Sequence, residues 1–227
     1  MSLQMEKEVL NQNLTLDKSK DLNEVLRESN VHTDKLYKPE KQYTIQGSDK
    51  PKEVKTDFAC PVSGARISVK NHGSVELCSI GMLQFCDYLD VSFTRAGYSI
   101  EEAQPFKEVL LLQPKRLTGD PEKDQWNKGP KKILNFTLES MMDKYPNIKR
   151  EIVKTALLGE GIYKEGDAIP THVATPKKFV RITEEYIDKV TAICSPDIRL
   201  KGRSRLPDTN IRRREPSFRI GLNMKNL

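Results

Sequence analysis

The sequence predicts an α+β protein with a small antiparallel sheet, about three principal helices, and flexible N- and C-terminal arms. Three observations carry that prediction. Short β-branched stretches alternate with turn residues between Phe58 and Cys78, two helical patterns follow one another between Ile133 and Leu158, and charge is spread unevenly along the chain. Repeated strand, helix, strand units with glycine-rich first turns are missing from the pattern, which argues against a doubly wound sheet.

The 227 residues are 37% hydrophobic and 31% charged, polar for one uniformly packed domain but ordinary for a folded centre with solvated ends. Residues 1–56 carry ten Lys or Arg against ten Asp or Glu, and residues 57–196 carry nineteen against nineteen. Residues 197–227 carry nine against three, so the whole formal net charge of +6 falls there. The expected organisation is an N-terminal arm over 1–56, flexible or docked on a partner, with an integral part of the fold as the further alternative, then a compact α+β domain over 57–196 and a basic tail over 197–227.

Within the first arm, Leu22, Val25 and Leu26 can share one face of a short helix. Such a helix needs a surface to dock on, because isolated helices shorter than about 12–15 residues are weak in water. The polar stretch after Lys38 reads as a linker. From Phe58 onward, "RISV" and "SVELC" read as two strands joined through "KNHG", where Asn71 or Gly73 can supply a positive φ, and the expected result is an antiparallel hairpin. "GMLQFCDYLDVSF" fits a helix with Met82, Phe85 and Leu89 on one face, or a further strand pair.

Ser99 and Glu102 have the spacing of a capping box, with Pro105 expected to end that turn early. "KEVLLLQP" reads as a buried strand, and Asp120 with Pro121 as the start of one turn in a polar connection. Ile133, Leu134, Leu138, Met141 and Met142 form the stripe of one helix. Asn147 can cap a second, marked by Ile148, Ile152, Val153, Ala156 and Leu157 and stopped by Gly159. "KFVRI" reads as a short strand, and Thr183 as the cap of a last helix that Pro196 ends.

The basic tail is the main functional signal. Arg199, Lys201, Arg203 and Arg205 alternate with other residues, so an extended backbone sends them toward one side. Arg212, Arg213, Arg214 and Arg219 add to the cluster. Guanidinium is permanently charged and offers forked donors that match phosphate, and each contact releases condensed counterions. A solubilising tail or a nuclear import signal would share this composition. Phe218 and Ile220 alternate as in a short strand that docks on a partner, and Trp126, in a polar link, either packs against the core or anchors a partner.

No Cys2His2 spacing, KH loop or RRM aromatic motif is present, which favours phosphate contacts over base reading. The helix pair over 133–158 imitates a helix-turn-helix, with Lys149, Arg150 and Lys154 on its second member, but core packing with a charged outer face explains it more simply. Cys60, His72, Cys78 and Cys86 supply zinc-type donors without any close ligand pair, so buried free cysteines beside a turn histidine are the simpler reading. A nucleophilic pair of Cys78 or Cys86 with His72 or His172 would need proximity in the fold. "LLGEGIYKEG" lacks the lysine and hydroxyl that complete a P-loop.

No run approaches the roughly 20 consecutive apolar residues of a bilayer span, and the opening offers no apolar signal-type region. The sequence therefore leads to an intracellular location, cytoplasmic or nuclear, with association with a viral particle also compatible. The expected function is a non-enzymatic structural component of a nucleoprotein assembly, with no cofactor, whose tail contacts RNA or DNA phosphates while its body contacts proteins or itself. The alternatives are an adaptor or viral structural protein that binds proteins only and, further off, a zinc- or cysteine-dependent enzyme.

Overall fold

A computed structural model describes residues 24–45, 47, 50–70, 74–112, 117–118, 126, 129–164, 166–175, 178–205 and 212–223. They form an α+β fold in two compact units: the stretch up to Val75 with Leu157–Ile193 and the residues from Leu222, and Glu76–Ala156 with Cys194–Gly221.

The first unit is built on a four-stranded sheet of β1 (Phe58–Ala59), β2 (Arg66–Val69), β5 (His172–Ala174) and β6 (Phe179–Arg181), in that order. β1 and β2 are antiparallel, β2 and β5 parallel, and β5 and β6 antiparallel. The sheet is thus mixed where an antiparallel one is expected, and the long excursion between β2 and β5 supplies the crossover that a parallel pair requires. Ile67 and Val173 pack inward, and α5 (Glu184–Ile193) is capped as expected, with Tyr186 N–H donating to Thr183 Oγ1 at 3.1 Å.

The described part of the expected N-terminal arm belongs to this unit. Residues 24–28 are helical, and Leu26 and Val31 join Phe58, Cys60, Ala65, Ile67 and Ala174 in one buried cluster. The surface that the short helix needs is therefore the protein's own sheet. The stretch read as a linker pairs with the segment after α4 (Ile148–Leu158): Ile45 N–H donates to Ile162 O at 2.9 Å, Lys55 N–H to Ala168 O at 3.2 Å, and Tyr163 Oη to Glu53 O at 2.8 Å. Gly159 permits the turn, since its φ is +70° and a Cβ there would lie 2.7 Å from Lys55 Cγ. The part of the arm before Glu24 lies outside the described residues.

The second unit holds α1 (Met82–Arg95), α2 (Ile100–Leu112), α3 (Pro130–Lys144) and most of α4. Phe85, Leu89 and Phe93 of α1 are fully buried, which selects the helix over the strand pair for this stretch. Phe93 meets Tyr145 edge to face at 4.9 Å between centroids, and Tyr98 and Phe106 complete the aromatic cluster. The capping box forms: Ser99 N–H donates to Glu102 Oε2 at 2.9 Å and Glu102 N–H to Ser99 Oγ at 3.4 Å.

α2 runs on through Pro105 and absorbs the segment expected to be a buried strand. Only Leu110 of "VLLL" is buried fully, and Leu112 is 79% exposed, so the run has one covered side and not two. The carbonyl of Glu101 that loses a partner to Pro105 lies on an exposed turn, where water can satisfy it. α3 and α4 fall where expected, with Asn147 between them in the left-handed region at φ 70°. The turn expected at Asp120 and Pro121 lies outside the described residues.

β3 (Ser74–Gly81), β4 (Leu117–Thr118), β7 (Ser195–Arg205) and β8 (Arg212–Asn223) make the second sheet. β8 pairs with β7 and also with β3 and β4. β2 and β3 consequently lie in different sheets instead of forming the expected hairpin. Both segments are extended, but β2 pairs with the nearby β1 and the distant β5, and β3 with the distant β8.

Candidate nucleic-acid interface

The charged C-terminal stretch folds as the β7 and β8 hairpin. Its register pairs Ser195 with Gly221, Ile198 with Phe218, Lys201 with Glu215, Gly202 with Arg214, and Arg205 with Arg212, with a shift between Gly202 and Arg205. The expected free tail thus gives way to paired strands, and its apolar residues explain why. Ile198, Phe218 and Ile220 are fully buried, and Phe218 stacks on Phe85 of α1 with centroids 3.7 Å apart and planes 6° apart. Phe218 and Ile220 are therefore core residues and not an external hook. Trp126, the third residue expected at a partner surface, is 2% exposed and packs inside as well.

Asn135 of α3 holds the hairpin at Ile198, where its Oδ1 accepts from Ile198 N–H at 2.9 Å and its Nδ2 donates to Ile198 O at 3.3 Å. An amide side chain mimics a strand here and satisfies part of an otherwise open edge. Sequence reasoning misses it, because Asn135 lies within an ordinary helical pattern.

Alternation divides the hairpin into two faces. Ile198 and Phe218 face the core, whereas Asp197, Arg199 and Arg219 occupy positions of the other face, which Lys201 and Glu215, opposite each other, continue by register. Asp197 gathers the nearest cations: its Oδ1 accepts from Arg219 Nε at 3.0 Å, and its Oδ2 accepts from Arg199 Nε. Arg219 is mostly buried there, with 14% of its side chain exposed, so it is a structural ion-pair partner first; Arg199 keeps 53% exposure.

Lys201 stands opposite Glu215. Beyond that pair, Arg203, Arg205, Arg212, Arg213 and Arg214 occupy five of the six strand positions at 203–205 and 212–214, none of which is acidic. β4 pairs with this end as well, Leu117 with Arg214 and Thr118 with Arg213. The structure places all eight expected contact residues on β7 and β8, and two of them, Arg199 and Arg219, share the Asp197 carboxylate.

The other candidate chemistry is dispersed. Cys60 is buried in the first unit; burial pushes its thiol up, and hydrogen bonds from the Ser63 side chain and the backbone of Ser63 and Val62 outweigh that and bring it below the usual value. In the second unit, burial drives the Cys86 thiol up to about 11, against nearby Lys107. Such a thiol is neutral at physiological pH and a poor nucleophile. His172 stacks on Phe179 at 4.6 Å, with Nδ1 2.8 Å from Thr171 Oγ1, and burial followed by the charge of Arg181 lowers its pKa. His72 lies outside the described residues, and among those described no group of three His, Cys, Asp or Glu side chains could hold a metal.

No helix among the described residues is long and apolar enough to cross a membrane. No family model, curated protein or solved structure matches the chain.

Proposed function

We propose that the protein is a non-enzymatic structural component of a nucleoprotein assembly, and that the β7 and β8 hairpin contacts the phosphate backbone of RNA or DNA. The observation that supports this reading best is the concentration of arginine at strand positions 203–205 and 212–214. A cationic segment serving solubility has no need of a defined place in a sheet, whereas phosphate contacts gain when arginines are held on rigid strands, because less conformational entropy is lost on binding. Five arginines at one end and a core anchor at the other form such a mount. Without base-reading motifs, the contact is to phosphate and carries little sequence preference.

A protein-only adaptor is the second reading. Leu112, Ile133 and Phe136, on α2 and α3, are 79%, 51% and 70% exposed, and large apolar side chains in water are ones that a partner protein can cover. Removing the chain after Pro196 cannot decide between the two, since that cut also deletes Ile198, Phe218 and Ile220 from the core. The deciding comparison is the intact protein against a variant with Arg203, Arg205, Arg212, Arg213 and Arg214 changed to Gln, titrated with fluorescent oligo-uridylate and with a mixed-sequence DNA duplex at several salt concentrations. Each phosphate contact contributes about 0.7 to the logarithmic salt slope for a single strand and about 0.9 for a duplex. The variant should therefore lose affinity and flatten the slope by about three to five. Equal binding and equal slopes would remove the hairpin from the function and leave the adaptor reading.

A further inference from the structure

We propose that the protein pairs with a second copy of itself through the open edge of the first unit's sheet, β6 lying antiparallel to the β6 of the other copy with Val180 at the two-fold axis. The contact uses no residue of the β7 and β8 hairpin and stands or falls independently of the function proposed above.

The two edges of that sheet differ. At β1, Tyr37 N–H donates to Ala59 O at 3.0 Å and Ala59 N–H to Tyr37 O at 2.9 Å, so this edge is closed. β6 bonds to β5 through alternate residues. Thr175 N–H donates to Lys178 O at 2.8 Å, Lys178 N–H to Thr175 O at 3.3 Å, and Ile182 N–H to Thr171 O at 2.8 Å. Val180 stands opposite Val173 midway between these pairs and belongs to the same bonded set. Phe179 and Arg181 are the residues between, so their N–H and C=O groups point away from β5, and no described residue bonds to them there. Lys178 and Arg181 are exposed and Phe179 and Val180 half-buried, which brings the edge to the surface. Outward backbone groups of this kind are what an added strand pairs with.

The side chains select a second copy as that strand. An isologous contact sets each residue against its counterpart across the axis. With Val180 on the axis, Phe179 stands opposite the partner's Arg181 and Arg181 opposite the partner's Phe179. All four of these residues carry outward groups, so four backbone hydrogen bonds form. One face of the Phe179 ring already stacks on His172 of β5 at 4.6 Å; the other face is turned away from β5, where a guanidinium from the added strand can lie over it. Lys178 then falls opposite the partner's Ile182, with the partner's Glu184 as its diagonal neighbour, within reach of a long side chain, and both Lys178 and Glu184 are exposed. The neighbouring registers are worse. An axis at Arg181 sets arginine directly against arginine, and an axis at Phe179 sets Arg181 against Lys177.

A three-residue edge makes a contact well below the roughly 1,200–2,000 Å2 of stable interfaces, so the dimer should have a dissociation constant between about 1 µM and 1 mM. Sedimentation of the full chain across that range should show a concentration-dependent dimer. Arg181→Ala keeps the backbone bonds and loses two symmetric ring contacts, which should weaken association by about 5- to 30-fold. Arg181→Pro also removes two of the four bonds, at an N–H that the sheet itself does not use, and should weaken association about tenfold further. A parent that stays monomeric throughout, or an Arg181→Pro protein that associates as well as Arg181→Ala, overturns the proposal. Amide hydrogen exchange on the parent supplies a reading that needs no variant. Exchange at Phe179 and Arg181 should slow in step with the falling monomer fraction, and exchange at Ile182, bonded inside the sheet, should change less; rates at Phe179 and Arg181 that ignore concentration overturn the proposal as well.

Discussion

Replacing Phe218 by alanine tests whether the arginine-rich stretch is truly part of the folded body. Phe218 and Phe85 are both fully buried and stacked at 3.7 Å, so the substitution removes a whole ring from a filled core. Buried Phe to Ala changes cost about 3–5 kcal/mol through lost transfer energy and the cavity left behind. That is a large part of the roughly 5–15 kcal/mol that stabilises a typical domain. Trp126 is the protein's single tryptophan and lies buried in the same unit, so its fluorescence during urea unfolding reports on that unit directly. Phe218→Leu, which keeps most of the volume, should cost less than about 1.5 kcal/mol. A cycle with Phe85→Ala should return a coupling of about 0.5–1.5 kcal/mol, the extra worth of an aromatic pair. Should Phe218→Ala lower stability by less than about 1 kcal/mol with no coupling to Phe85, β8 would not be anchored in the core, and the proposed function would lose its foundation.

Two further perturbations probe charge. Asp197→Asn removes the carboxylate that Arg199 and Arg219 share, and it should destabilise the second unit by about 1–2 kcal/mol while steepening the salt dependence of nucleic-acid binding; unchanged unfolding together with an unchanged slope would refute this. Asp87 of α1 has its pKa raised, first by burial and then by Asp90, with Lys107 opposing. The folded state therefore prefers the neutral acid, and a penalty appears as pH rises from the unfolded carboxylate value, about 4, through the higher folded value. Asp87→Asn should match the parent's melting temperature near pH 3 and exceed it near pH 7; a gap that does not change with pH contradicts the assignment.

The elements legible in the sequence are those whose signals are local. Ser99 with Glu102, Thr183, and the stripes of α3 and α4 each specify structure within a few residues, and all form as expected. Pairing between distant strands is not local. "RISV" and "SVELC" announce extended backbone, but nothing in either identifies β5 and β8 as their partners. β5 itself is three residues between Pro170 and Pro176, too short for alternation to register. The continuous run "VLLL" is compatible with either class, and the capping box upstream decides it.

The candidate site was legible as a set of residues and not as an arrangement. Charge counting finds the arginines, but it averages over Ile198 of β7 and over Phe218 and Ile220, whose period of two marks β8 as a strand. Pro216 hides that strand further, since proline is rare in the middle of a sheet. Asn135 leaves no trace, because an asparagine on a half-buried helix position looks the same whether or not a strand edge lies beside it.

The place of β8 has a consequence during synthesis. β3, β4 and β7 all pair with it, although β3 and β4 emerge from the ribosome long before it does. A nascent chain therefore carries a half-built sheet, with open edges and an uncovered Phe85, until the twelfth residue of β8 has cleared the exit tunnel. Over that interval the growing polypeptide exposes apolar side chains that β8 later covers, and a product cut short before Phe218 lacks the ring that stacks on Phe85.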